Sequence, residues 1–102
     1  MKFGIGQLTL RKLEAFFSGH KEIDKVIIYG SRAKGNFREG SDIDLALEGK
    51  DLDSDALLSI ISELDDLMLP YKIDLSLYTG ISNNALKEHI ERVGQLFYQK
   101  NE

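Results

Sequence analysis

Two short stretches of this chain alternate with a period of two, and together they leave few folds open. In Ser41-Asp42-Ile43-Asp44-Leu45-Ala46-Leu47 and in Lys72-Ile73-Asp74-Leu75-Ser76-Leu77, acids or small polar residues occupy every second place and aliphatics most of the others. Side chains two apart on a β-strand point to the same face. Asp42 and Asp44 therefore share one face of their strand, with Ile43, Leu45 and Leu47 on the other, and Asp74 and Ser76 repeat the placement opposite Ile73, Leu75 and Leu77. If the two strands adjoin in one sheet, the aliphatics line a core face and the three acids gather on the open one.

Three clustered carboxylates repel one another unless cations neutralise them. Aspartate oxygens suit a hard ion such as Mg²⁺, and two such ions about 3.5–4 Å apart are an established device for in-line phosphoryl displacement. A plainer reading stands beside this one: Asp42 caps the turn after Gly40-Ser41, and single acids on the solvent face of an antiparallel sheet are ordinary.

A phosphate-sized turn lies just upstream. The apolar run Val26-Ile27-Ile28-Tyr29 predicts a strand leading into Gly30-Ser31-Arg32-Ala33-Lys34-Gly35 and a short helix. Gly30 lets backbone approach a phosphate closely, Ser31 adds a hydroxyl, and Arg32 and Lys34 add charge where their side chains turn inward. The Gly30 to Gly35 spacing imitates a Walker A loop, but Asn36-Phe37 follows where that loop needs Lys and Ser or Thr. Gly4-Ile5-Gly6 has neither the preceding strand nor the third glycine of a dinucleotide fingerprint.

Taken together, the G-S-x-A-x-G turn, the S-D-I-D-L strand and the later acid-bearing strand resemble the nucleotidyltransferase superfamily that includes polymerase β, and within it the minimal nucleotidyltransferases (MNT). By motif the resemblance spans about residues 25–78, and by element order most of the chain. It implies that Gly30 and Ser31, aided by Arg32 and Lys34, hold nucleotide phosphates. It also implies that Asp42 and Asp44 bind both of two Mg²⁺ ions, with Mn²⁺ as the alternative, or the metal–triphosphate, and that Asp74 binds the catalytic ion and helps deprotonate the attacking hydroxyl. Lys34 stands where many relatives carry Arg, giving a point charge in place of a fork.

Helical periodicity predicts three further elements. Leu10, Leu13 and Phe16-Phe17 form a stripe that Gly19 stops. A second helix, capped by Asp53 or Ser54, carries Leu57, Ile60, Ile61, Leu64 and Leu67-Met68 until Pro70. The third, capped by Ser82, carries Leu86, Ile90 and Val93 up to Gly94; the following Gln95–Gln99 segment reads equally as helix or short edge strand. The expected architecture is α/β, a small mixed sheet with helices packed on one face and an open acidic catalytic face, as one domain over residues 1–102. Tyr29 reads as strand packing, and Tyr71 sits where a base or a partner could touch. His20 and His89 read as surface histidines.

Composition excludes several classes. There are no cysteines, which removes disulfides and thiolate metal sites, and a net charge of −4 without a basic stripe argues against a nucleic-acid binder. No apolar run approaches the ~20 residues of a membrane span, and the start of the chain does not lead into a signal-peptide core, so a cytoplasmic protein is expected.

The resemblance then implies transfer of AMP from Mg·ATP to a hydroxyl, with pyrophosphate released. A chain that is little more than the catalytic core needs acceptor contacts from elsewhere, and minimal members commonly act beside a separate helical HEPN protein. By that resemblance the chain is the antitoxin of a toxin–antitoxin pair, adenylylating a tyrosine of a HEPN toxin. Two alternatives stay open: a non-enzymatic nucleotide-binding module that masks its partner, and a small-molecule (aminoglycoside-like) nucleotidyltransferase completed by a second subunit.

Overall fold

The β-branched run in Lys25–Tyr29 forms the strand β1, as such residues favour pleated, half-buried surfaces. The structure, a computed structural model, describes residues 2–100. In chain order the elements are α1 (Gln7–Ser18), β1, α2 (Gly30–Lys34), β2 (Ile43–Glu48), α3 (Ser54–Asp65), β3 (Ile73–Leu77), a 3₁₀ turn (Tyr78–Gly80), α4 (Asn84–Val93) and β4 (Gln95–Gln99). The four strands make one mixed sheet in the order β3-β2-β1-β4. β1 runs antiparallel to both β2 and β4, while β2 and β3 are parallel. A parallel pair requires a crossover, and α3 supplies it.

The period-two pattern now has its physical result. Val26, Ile28, Ile43, Leu45, Leu47 and Leu75 are buried on one sheet face against Leu13 and Phe17 of α1 and Ile60 and Leu64 of α3. Burying each such aliphatic side chain stabilises the fold by roughly 1.5–3 kcal/mol. On the other face Ile27, Tyr29 and Ala46 pack against Leu86 and Ile90 of α4. The acidic face is thus not bare: the fold class is as expected, but one helix lies over part of the side that carries the acids.

Two boundaries differ from expectation, and two open alternatives are decided. Asp53 caps α3, its Oδ1 accepting from the Ala56 N–H at 2.8 Å, but the helix ends at Asp65, short of Pro70. Met68 then adopts φ +51°, turning the chain, so Leu67 and Met68 face solvent instead of extending the stripe. Asn83, not Ser82, caps α4 by accepting from the Leu86 N–H at 3.1 Å. Gln95–Gln99 is the strand alternative, hydrogen-bonded along β1.

Candidate active site

The strands bring every strongly marked residue to one end of the sheet. β1 finishes there at Tyr29 and Gly30, while β2 and β3 begin there. Tyr29 registers with Asp44, and Asp44 with Asp74, so the two carboxylate positions are direct neighbours on adjoining strands. Asp42 stands exposed one residue before β2. Gly30 has φ +74°, and a Cβ there would run into the Asp44 carboxylate. Only glycine fits where the backbone turns left-handed directly against that acid.

Electrostatics mark Asp44 as the centre of the set. Its carboxyl is pushed above the usual range, first by burial and then by the charges of Asp74 and Asp42, while His89 pulls the other way. The Tyr29 phenol is raised mainly by burial, with Asp44 and Asp74 adding to the rise. The Ser76 hydroxyl opposes part of that rise, yet its Oγ is buried without a well-formed hydrogen bond.

His89 belongs to this end of the molecule and not to the surface class expected for it. Its Nε2 accepts from the Gly30 N–H at 3.2 Å, and its ring meets Tyr29 edge-on with centroids 6.2 Å apart. Nε2 accepts that bond through its ring lone pair. A sequence signal existed: His89 falls three residues after Leu86 and beside Ile90, on the apolar stripe of α4, while Lys87, Glu88, Glu91 and Arg92 fall on other positions.

Arg32 requires a correction. The turn residues were expected to present it to phosphate, but it is only 3% exposed and already engaged. Its Nε and Nη2 donate to the Ser41 carbonyl at 3.1 and 2.8 Å, and Nη1 donates to the Phe3 carbonyl at 3.0 Å. The rings of Phe37 and Tyr71 each lie 5.2 Å from the guanidinium. Tyr71, expected near a base or a partner, instead faces Arg32 and accepts the Gly6 N–H through its hydroxyl at 3.0 Å. Ser31 is half-buried and Lys34 exposed, and both remain available at the turn.

The donor set suits a divalent ion in chemistry: hard oxygens, mutual repulsion at Asp44, and an orphaned hydroxyl at Ser76 beside them. Among the described residues, however, no three His, Asp or Glu side chains converge on a metal-sized point. The acids stand as neighbours on a frame, not as a closed cage. Two broad concavities of about 620 and 680 Å³ lie at the opposite end of the sheet, around Lys21, Gln99 and Lys100. Among the described residues no helix is long and apolar enough to cross a membrane.

Comparison with known proteins places this frame. A family model described as polymerase beta, nucleotidyltransferase, matches residues 11–102. The protein adenylyltransferase MntA of Thermococcus cleftensis is 25% identical over 95 residues, 82% of this chain and 96% of that protein. A crystal structure of a toxin–antitoxin with AMP-PNP superposes with a TM-score of 0.70 at 19% identity, covering 90% of this chain and 74% of the other. A structure of a tri-AMPylated Shewanella oneidensis HEPN toxin in complex with its MNT antitoxin gives a TM-score of 0.66 at 19% identity, over 92% of this chain and 72% of the other.

Proposed function

This chain belongs to the polymerase beta nucleotidyltransferase family, and from that premise we propose that it is a protein adenylyltransferase that acts as the antitoxin of a HEPN toxin. The observation that carries the reading is the Asp44–Asp74 register with Asp42 immediately before the same strand, set against the Gly30 turn. The relative that carries the name protein adenylyltransferase supports the chemistry, and the toxin–antitoxin neighbours support the kind of partner.

In this reading Ser31, Lys34 and the backbone at Gly30 receive the triphosphate of ATP, and Asp42, Asp44 and Asp74 would hold two divalent ions, Mg²⁺ or Mn²⁺. The ions supply charge neutralisation for the attacking and leaving oxygens. Asp74 takes the proton of the acceptor hydroxyl, a tyrosine of the toxin, as its oxygen bonds to the α-phosphorus. The bond from that phosphorus to the β-phosphate bridging oxygen breaks, and pyrophosphate leaves. The acids face an open surface, which suits a macromolecular acceptor that closes the site on docking.

The test is to incubate the wild type and Asp42→Ala/Asp44→Ala with α-labelled ATP, Mg²⁺ and host lysate, and to map any labelled protein by mass spectrometry. Label on a HEPN tyrosine only with intact acids supports the reading. Inhibition of the partner that persists in the double variant without modification would point to masking, and label on a soluble hydroxyl compound to a small-molecule acceptor.

A further inference from the structure

The N-terminal segment, Arg32 and the loop before Asp42 form a single braced unit that the proposed chemistry does not explain. Residues Lys2 to Ile5 fold into a tight hook closed by reciprocal backbone hydrogen bonds of 3.3 and 2.9 Å, with Phe3 at φ 57° and Gly4 at φ 70°. A non-glycine residue at positive φ is held there against a steric penalty. The hook turns the Phe3 carbonyl toward Arg32, which reaches from it to the Ser41 carbonyl, the peptide group immediately before Asp42. Phe37 and Tyr71 enclose the guanidinium, and Tyr71 ties back to the hook at Gly6.

We propose that Arg32 is a positioning residue: it locks the Ser41 carbonyl to the N-terminal hook and so sets where the Asp42 carboxylate stands relative to Asp44. This rests on the transferase reading for its consequence, though the brace itself is independent of it. The planar fork matters because two of its N–H groups meet one carbonyl and a third meets another; a lysine has the charge but not that fixed geometry. From Asn36 to Gly40 every residue but Phe37 is exposed, and the Arg38–Ser41 hydrogen bonds of 2.8 and 3.0 Å close the turn only on itself, so Arg32 is what joins it to the N-terminal hook.

Three variants test this, Arg32→Lys, Arg32→Ala and Phe37→Leu, the last altering one of the two rings that enclose the guanidinium. Each is assayed for AMP transfer, for nucleotide affinity with a fluorescent ATP analogue, and for amide hydrogen exchange over residues 36–42. The brace predicts a fall in kcat of about 10–100-fold for Arg32→Lys, the scale of a small misplacement of a reacting group, and a smaller fall for Phe37→Leu. Nucleotide affinity stays within about threefold, since no phosphate contact is lost, and exchange over 36–42 quickens in both. Unchanged exchange, or unchanged kcat, overturns the proposal. So does a loss of nucleotide affinity in Arg32→Ala that Arg32→Lys restores, which is the signature of a phosphate ligand. If the wild type transfers nothing, the functional reading falls, and the exchange measurement still decides whether Arg32 holds the loop.

Discussion

The two faces of this sheet are built from the same strands and have opposite tasks. On the face toward α1 and α3, Ile28, Ile43 and Leu45 have no exposed surface, and every second residue is aliphatic. On the face toward α4 the alternate positions hold Tyr29, Asp44, Asp74 and Ser76, with burial and like charge set against each other. One face gains free energy almost wholly from removing apolar area from water; the other, beside its smaller apolar cluster under α4, holds carboxylates that weigh against folding. The comparison teaches that the acids can sit close together because their strands are anchored from behind.

The largest effect should come from the acidic face, in activity alone. Asp44→Asn is expected to reduce AMP transfer by on the order of 10²–10³-fold or more, the scale of removing one preorganised electrostatic group. Thermal unfolding should show the same or a higher Tm. The sign follows from the raised carboxyl: the folded state favours the protonated form, that contribution is lost as pH rises through the folded pKa, and at pH 7 the ionised group opposes folding. A clear drop in Tm would break the contrast between the faces.

Leu45→Ala attacks the other face and should behave oppositely. Its side chain is fully buried, so a cost of about 2–5 kcal/mol is expected in urea unfolding. The exposed Leu58 on α3 serves as the control, with Leu58→Ala within about 0.5 kcal/mol of wild type. Gly30→Ala falls between the faces. Positive φ costs roughly 1–2 kcal/mol for an L-residue, and the new methyl displaces the Asp44 carboxylate, so transfer should fall more steeply than stability.

The smallest effect lies away from both faces, at His20. Burial lowers its pKa, but the Phe16 carbonyl and the Glu63 carboxylate more than offset this and leave it above 6.5. Nδ1 lies 2.8 Å from the Phe16 oxygen and Nε2 3.3 Å from Glu63. Stability from the protonated ring is fully present below about pH 6.5 and is lost as pH rises through the folded value. Because Glu63 is well exposed, Glu63→Gln should cost only roughly 0.2–1 kcal/mol at pH 5.5 and less at pH 8, read from paired urea titrations.

The aliphatic face was legible in the sequence because a period of two needs only nearest neighbours to be seen. Asp44 beside Asp74 followed from the same alternation, given one assumption about which strands adjoin. Arg32 was not legible, since its partners Phe3, Ser41 and Tyr71 are 29, 9 and 39 positions away and nothing local distinguishes a buried guanidinium from a solvated one. His89 was half-legible: its place on the α4 stripe pointed inward, while its charged neighbours pointed out. The end of α3 was misplaced because the turn at Met68 comes before Pro70, and a left-handed methionine carries no sequence signal.

Thirty positions separate Asp44 from Asp74 (44 to 74), and only the α3 crossover joins their strands. Long-range parallel pairing is slow to form, because the loop must close before any contact rewards it. A nascent chain therefore presents Asp42 and Asp44 before Asp74 is made, and the Asp44–Asp74 repulsion arises only once β3 has docked beside β2. In the proposed reading, a chain whose β3 has not docked beside β2 lacks the Asp44–Asp74 pair on which transfer depends, so activity reports whether this long-range pairing has formed.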